Sequence, residues 1–379
     1  MTHLTASRRT FMKNSGAAAA ALVVPAYILG RDPARAAPSN TVGVACIGCG
    51  GKGGSDTRNA DKAGGKIVAL ADPDAKRAKG IFNKYGDAKK YRDYRKMLDE
   101  MAKDIDAVTV STPDHSHFPA AYKAMMMGKH AFVQKPITHT VWEARKLTEI
   151  AAEKKLATQM GNQGSAGRER RLIREWIETG CIGDVTDVIY WTNRPIWPQG
   201  ISEPLPGQDV PAHLDWDLWL GPAPVRDYNT GYCPFKWRGW WDFGCGALGD
   251  MACHFMDAAF WSLDLRYPTS VEARSSGIND QTAPKWSVVT YRFPERTVGS
   301  DRRFIKEGVT PTPKRKVPPV TVTWYDGITQ YKDGVPRSAG AAVPRPAELE
   351  EGRKLAEGNN GQLIIGTRAT IMAGTYGGG

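Results

Sequence analysis

Val42-Gly43-Val44-Ala45-Cys46-Ile47-Gly48-Cys49-Gly50-Gly51-Lys52-Gly53 is the stretch on which the fold turns. An apolar run, Val42 to Ile47, leads directly into a G-x-G-x-x-G loop at Gly48, Gly50 and Gly53. The run reads as a first β-strand, and the loop as the turn into a helix. Such a loop lets backbone N–H groups approach a pyrophosphate at a helix N-terminus, where side chains would stand in the way. The chain holds 40 glycines, so the pattern by itself is weak; the strand before it and the acid after it give it meaning.

That acid is Asp72, 24 residues past Gly48. Lys66 to Ala71 reads as a short buried parallel strand that ends in this carboxylate. A carboxylate at that spacing accepts hydrogen bonds from ribose hydroxyls and repels a 2′-phosphate. The expected cofactor is therefore NAD rather than NADP, with Lys76 and Arg77 close enough to soften the preference. The plainer alternative is that Asp72 only caps the next helix through Asp72-Pro73-Asp74.

The first 37 residues read as a removable leader rather than fold. Ser7-Arg8-Arg9-Thr10-Phe11-Met12-Lys13 is a twin-arginine export motif with Met at the usual Leu position. Gly16 to Leu29 is apolar but short for a bilayer span. Ala34-Arg35-Ala36 is a small-x-small cleavage site. A periplasmic or secreted protein is expected, with the twin-arginine translocase as a partner during export. Because that route carries folded proteins, the nucleotide would be taken up first and held tightly. The whole chain is +11; the leader has five Lys/Arg against Asp32, so the remainder is near +7. Those charges are scattered, with no basic stripe of the nucleic-acid kind. Six cysteines are too few for a disulfide scaffold, and Cys46 and Cys49 fit packing better than a metal site; no metal is expected.

Strand and helix signals alternate from 41 to about 160. Asp106–Ser111 and His130–Gln134 read as strands, Phe118–Met127 and Trp142–Lys155 as helices. This predicts a doubly wound parallel sheet over residues 38–162. Ligands of such sheets sit beyond the carboxyl ends of the strands, where Gly48, Asp72, the Thr112-Pro113 loop and Lys135 all fall. From 163 to 379 the texture is that of an α+β domain on a mostly antiparallel, open sheet. Val185–Arg194, Thr269–Arg274, Trp286–Phe293 and Val320–Tyr325 are its expected strands, and Arg168–Thr179 a helix stopped by Gly180. The Pro-rich excursion 195–224 should line the cleft; 299–319 and 338–346 read as exposed loops. An open sheet face invites a partner chain, so a homo-oligomer is an expectation.

Asp250 and His254 stand four apart, on one face of a helix. They form a candidate acid–base pair behind an aromatic, glycine-rich approach, Trp237 to Leu248, that would suit a sugar ring. Capping by Asp250 and core packing of His254 is the alternative. Lys135, at a strand end before Pro136, should bring an ammonium to the nucleotide crevice.

These pieces together resemble the Gfo/Idh/MocA oxidoreductase family, in particular its exported twin-arginine branch. The resemblance rests on Gly48-x-Gly50-x-x-Gly53, Ser111-Thr112-Pro113 with His117, Lys135-Pro136, Gly161-Asn162-Gln163 and Asp250-x-x-x-His254, and covers residues 41 to 295 well. It implies hydride transfer between a sugar or cyclitol carbinol and NAD. It gives His254 the role of general base, titrating near neutral pH, Asp250 that of orienting His254, and Lys135 that of stabilising charge on the reacting oxygen. Thr112, Pro113 and His117 would bind the cofactor. Asn162 and Gln163, and more weakly Arg194, Trp197, Arg238 and Trp241, would bind the substrate. The family pattern has Glu-Lys-Pro, whereas this chain has Gln134, which removes a carboxylate. Relatives also continue past a sequence like Gly374–Tyr376. Two further functions share the fold: glycoside cleavage or two-sugar exchange with a recycled, tightly bound cofactor, and a decayed sugar-binding protein.

Overall fold

The computed structural model describes residues 41–298, 315–332, 335–338, 341–347, 349–350 and 353–378. The stretch expected to be an export leader, most of the 299–319 loop and part of the 338–346 loop lie outside them.

The N-terminal half is a six-stranded parallel sheet in the order β3-β2-β1-β4-β5-β6. Its strands are β1 (Gly43–Ile47), β2 (Lys66–Ala71), β3 (Lys89–Tyr91), β4 (Ala107–Val110), β5 (His130–Gln134) and β6 (Thr158–Gly161). Helices α1 (Lys52–Lys62), α2 (Ala75–Lys84), α3 (Tyr94–Glu100), α4 (His117–Met126) and α5 (Val141–Glu153) make the crossovers. The central strand β1 is apolar throughout because both of its faces are covered; every one of its residues is buried. Local chemistry bounds three of these helices. Asp74 accepts the Arg77 N–H to start α2, Thr140 and Glu143 form a reciprocal capping box on α5, and Gly128 follows α4 at φ 79°. The order reverses between β1 and β4, and the crevice opens there, at the carboxyl ends.

The C-terminal half carries a mixed, mostly antiparallel sheet in the order β16-β15-β7-β12-β9-β8. These strands are β7 (Val185–Trp191), β8 (Ser270–Ser275), β9 (Ser287–Phe293), β12 (Val320–Tyr325), β15 (Gly361–Gly366) and β16 (Thr370–Ala373). β7 and β12 are the parallel pair; the other neighbours are antiparallel. Two short ribbons, β10 (Arg296–Val298) with β11 (Arg315–Val317) and β13 (Gln330–Lys332) with β14 (Val335–Arg337), complete it. The strand expected to reach Arg194 ends at Trp191, and β15 and β16 lie where no strand was expected.

One face of this sheet packs on α6 (Arg168–Glu178), α8 (Gly246–Phe255) and α9 (Asp257–Ser262) through Ile173, Phe255, Tyr190 and Trp324, all buried. Helix α8 thus has one side on the sheet, and its Asp250 is bonded to Lys135 and Arg238, which line the crevice. A separate aromatic core, around Trp219, Tyr232, Trp240 and Phe243, builds the excursion between β7 and α8, which includes the short helix α7 (Trp216–Leu220).

Candidate active site

The crevice at the strand ends is a cleft of about 500 Å³. Gly48, Gly50, Asp72, Thr112, Pro113 and Lys135 all line it, as the strand-end argument requires. Gly48 has φ 78°, and a Cβ added there would lie 2.7 Å from the Ser111 carbonyl oxygen. A Cβ on Gly53 would lie 1.7 Å from the Gly48 carbonyl oxygen. Neither position can hold a side chain. Gly51 begins α1 with no side-chain cap; the Gly53 N–H is taken by the Gly50 carbonyl oxygen at 3.0 Å, so an anion would be met by the other N–H groups of this turn. This is a cradle that fits a pyrophosphate.

Asp72 grips the cradle. Its Oδ2 accepts the Cys49 and Gly50 N–H groups at 2.8 and 3.0 Å, and its Oδ1 accepts the Asp74 N–H at 2.9 Å. Burial pushes its pKa up against the pull of those three donors. Roughly one of its four acceptor sites is left for a ribose hydroxyl. The helix cap is Asp74, not Asp72. The Arg77 side chain lies over Gly50 and Gly51 and also lines the cleft.

At the other end, Lys135 Nζ donates to Asp250 Oδ1 at 2.7 Å and to the Asp250 carbonyl oxygen at 2.9 Å. Arg238 Nε donates to the same Oδ1 at 3.1 Å. Burial pulls the Lys135 ammonium down, but Asp250 and the nearby Asp114 hold it above its ordinary value. Burial likewise disfavours the Asp250 carboxylate, and Lys135 and Arg238 outweigh it, so its pKa falls. Both partners are ionised in a nearly dry site. Asp114 lines the cleft beside them and accepts the Cys245 N–H at 3.2 Å. Burial pushes its carboxyl up to about 7.

Asp250 does not orient His254. The four-residue spacing puts them on one side of α8, yet Asp250 faces the end of β5 and His254, one turn on, faces the end of β6. His254 Nδ1 lies 2.8 Å from Asn162 Oδ1, and Asn162 Nδ2 donates to the Cys253 carbonyl oxygen at 2.7 Å. A carbonyl can only accept, which fixes the amide orientation and makes Oδ1 the atom facing the ring. The ring proton therefore sits on Nδ1, and Nε2, without a hydrogen-bond partner among the described residues, carries a bare lone pair. Asn162 takes the orienting role expected of Asp250. The expectation of a near-neutral His254 also fails: burial first, then the charge of Lys135, lowers it to about 4. The group that titrates near neutrality is Asp114.

His117 is buried, its Nδ1 2.7 Å from the Pro136 carbonyl oxygen and its Nε2 2.9 Å from that of Thr112. It ties the two loops together and does not line the cleft. Arg238 does line it, stacked on Trp237 and Phe235 at 4.3 and 4.6 Å. Trp197 is buried behind that guanidinium, its indole bonded to Gln199. Gln163 is exposed in a short turn after β6. Arg194 is bonded to its neighbour Asn193, and the Trp241 indole to the Asn279 carbonyl oxygen; neither lines the cleft, because the chain turns away after β7 and after Trp240. Tyr376 meets the His254 ring edge-on at 5.4 Å.

The excursion after β7 closes over the crevice like a strap. Ala75 N–H donates to the His213 carbonyl oxygen and Asp215 N–H to that of Pro73, at 3.0 and 2.9 Å. His213 Nδ1 meets Asp74 Oδ1 at 2.9 Å. Farther along, the two His115 ring nitrogens face the Trp219 and Phe243 carbonyl oxygens. Leu218, Trp219, Pro222 and Trp237 from this strap form the opposite wall of the cleft.

Residues 42–162 match the model of an oxidoreductase family with an NAD-binding Rossmann fold, and residues 181–299 match its C-terminal alpha/beta domain. The chain is 30% identical over 202 residues to a glycosyl hydrolase family 109 protein of Shewanella sp. (strain ANA-3), covering 47% of this chain and 44% of that one. It is 26% identical over 195 residues to levoglucosan dehydrogenase of Pseudarthrobacter phenanthrenivorans, covering 51% and 41%. The matches span under half the length of those relatives. Among solved structures, the WlbA dehydrogenase of Bordetella pertussis, in complex with NADH and UDP-GlcNAcA, has the same fold. Its TM-score is 0.55 at 16% identity, over 88% of this chain and 78% of that one.

Proposed function

The chain belongs to the Gfo/Idh/MocA oxidoreductase family with an NAD-binding Rossmann domain, and from that premise we propose that it moves hydride between a sugar or cyclitol carbon and NAD. A nicotinamide dinucleotide bound in the crevice supplies the hydride acceptor or donor. Everything else comes from side chains. Gly48, Gly50 and Gly53 leave room for the pyrophosphate, and the carboxylate of Asp72 at the ribose end favours NAD over NADP.

The observation that carries the reading is a charged Lys135 lining the cleft beside the phosphate cradle, with a neutral His254, its Nε2 bare, one helical turn beyond the Asp250 that holds this ammonium; His254 and Asn162 stand behind the cleft wall. Lys135 donates to the reacting oxygen and stabilises negative charge on it. Asp250 keeps that ammonium charged. His254 Nε2 accepts the hydroxyl proton, with Asn162 holding the ring in the tautomer that leaves this nitrogen free. The test is mass spectrometry of whatever small molecule leaves the denatured protein, followed by turnover with a panel of sugars and cyclitols. Net NADH formation supports the dehydrogenase; a chain that neither releases nor binds a nicotinamide dinucleotide refutes it.

The strap supports a second reading, glycoside cleavage with a resident cofactor that is reduced and reoxidised within each turnover. A dinucleotide under bonds from Pro73, Asp74 and Ala75 to His213 and Asp215 leaves slowly. A released aglycone with no net change in NADH would favour it. A resident cofactor also agrees with the twin-arginine leader, which we read as directing a loaded protein out of the cytoplasm; fractionation of cells expressing the chain, against an Arg8→Lys/Arg9→Lys variant, checks that.

A further inference from the structure

A carboxylate with no part in the chemistry above lies under the glycine loop. Asp56 belongs to α1, and its side chain is 4% exposed. Its Oδ2 accepts the Ser111 hydroxyl at 2.9 Å and the Gln134 amide at 2.8 Å; its Oδ1 accepts the Lys52 ammonium. Ser111 follows β4, and Gln134 is the last residue of β5. Asp56 therefore joins the helix of the phosphate cradle to two strand ends, one of them beside Lys135.

The orientation of the Gln134 amide is fixed. A carboxylate only accepts, so the side facing Asp56 is Nε2. Oε1 then accepts the Lys135 N–H at 3.3 Å. Gly161 packs so closely on this amide that an added Cβ would lie 2.6 Å from Nε2. The amide has no room to swing. A glutamate at 134 would set two carboxylates in hydrogen-bond contact with no proton between them.

We propose that Asp56 is a positioning residue of the nucleotide crevice: through Gln134 and Ser111 it sets the phosphate cradle against Lys135, and it carries the negative charge that a glutamate at 134 would otherwise bring. Glutamine before Lys135 is then no loss. This rests on the reading of the crevice as a dinucleotide site.

The experiment compares full-length wild type, Asp56→Asn, Gln134→Glu and the double variant. Thermal unfolding is read without nucleotide, NAD affinity by titration, and kcat and KM for NAD with whichever sugar or cyclitol of the panel wild type turns over. Gln134→Glu should lower the unfolding temperature and weaken NAD about tenfold or more, the scale of one lost charge-assisted hydrogen bond. Adding Asp56→Asn should restore both and bring KM for NAD back toward wild type. If Gln134→Glu alone fails to fold, a folded, NAD-binding double variant supports the proposal. A double variant no better than Gln134→Glu overturns it, as does Gln134→Glu with wild-type NAD affinity. Recovery of unfolding temperature without recovery of NAD affinity makes Asp56 merely structural and also overturns it. If wild type itself binds no nicotinamide dinucleotide, the crevice reading falls and takes the proposal with it.

Discussion

Replacing Asn162 with aspartate puts a carboxylate where an amide oxygen now stands 2.8 Å from His254 Nδ1. His254 lies at about 4 because burial and the charge of Lys135 both oppose the imidazolium. Two unit charges about 4 Å apart at an effective dielectric near 20 attract by about 4 kcal/mol, which at about 1.4 kcal/mol per unit caps the rise near three units. The new carboxylate is itself buried, and it loses the bond that Nδ2 makes to the Cys253 carbonyl oxygen, so the net rise is smaller. An increase of at least about one unit is expected. Carbon-13 labelling of the seven histidines, with His254→Gln to assign the signal, reads it directly by NMR titration. Stability gives an independent reading. His254 is depressed below the ordinary 6.5, so its contribution is present above 6.5 and is lost as pH falls through 4. In Asn162→Asp the loss over that window should shrink by about 1.4 kcal/mol for each unit of rise. A His254 pKa at or below the wild-type value would mean that Asn162 Oδ1 does not hold Nδ1–H, and the bare Nε2 would go with it.

Lys135→Ala and His254→Ala should each cut turnover at least ~100-fold while circular dichroism shows a folded chain. Arg238 keeps Asp250 paired in the first variant, and wild-type turnover in either variant removes that residue from the mechanism. Asp114 has the opposite pH sign to His254: its carboxyl, at 3.8 ordinarily and about 7 here, stabilises fully below 3.8 and loses that contribution as pH rises through 7. Asp114→Asn should therefore flatten denaturant-measured stability between those values, by at most about 4 kcal/mol, and an unchanged slope contradicts its burial. Two cradle glycines should differ in kind. Gly53→Ala meets the Gly48 backbone and should destabilise the nucleotide-free protein by ~3 kcal/mol or more, whereas Gly50→Ala meets only the movable Arg77 side chain and should chiefly weaken NAD. Equal unfolding midpoints for the two would refute this distinction.

The parts legible in the sequence are those that depend on near neighbours. The run into Gly48, the strand into Asp72 and the strand into Lys135 each state their element and its end within a few residues. Strand ends of a parallel sheet must share an edge, so their convergence followed. What the sequence did not reveal is which side chain meets which across the two halves. The spacing of Asp250 and His254 says they share a helix face; it cannot say that β5 brings an ammonium to one and β6 an amide to the other. Asp114 stood in plain view beside Thr112 and Pro113, but burial raises its pKa against the pull of Lys135, Arg238 and the Cys245 N–H, and two of those three groups lie more than a hundred residues away. Arg170 reads as a solvated helix cation among Arg168, Glu169 and Arg171. It is buried instead, donating to the carbonyl oxygens of His254, Phe255 and Thr375. β15 and β16 were missed although Gly361–Gly366 is apolar enough for a buried strand, because their partner β7 lies far back in the chain.

The strap also sets a timetable. Its fastenings join residues near 74 to residues near 214, contacts of long sequence separation that cost the most loop entropy and so close late. The glycine loop, β1 and β2 are local and can form while the wall of Leu218, Trp219 and Trp237 is still absent. During that interval the crevice would be an open groove, which a nucleotide would enter without displacing the strap. Once Asp215 and His213 have docked, the same groove has a second wall. A nucleotide taken up while the strap was still undone would have to pass that wall to leave.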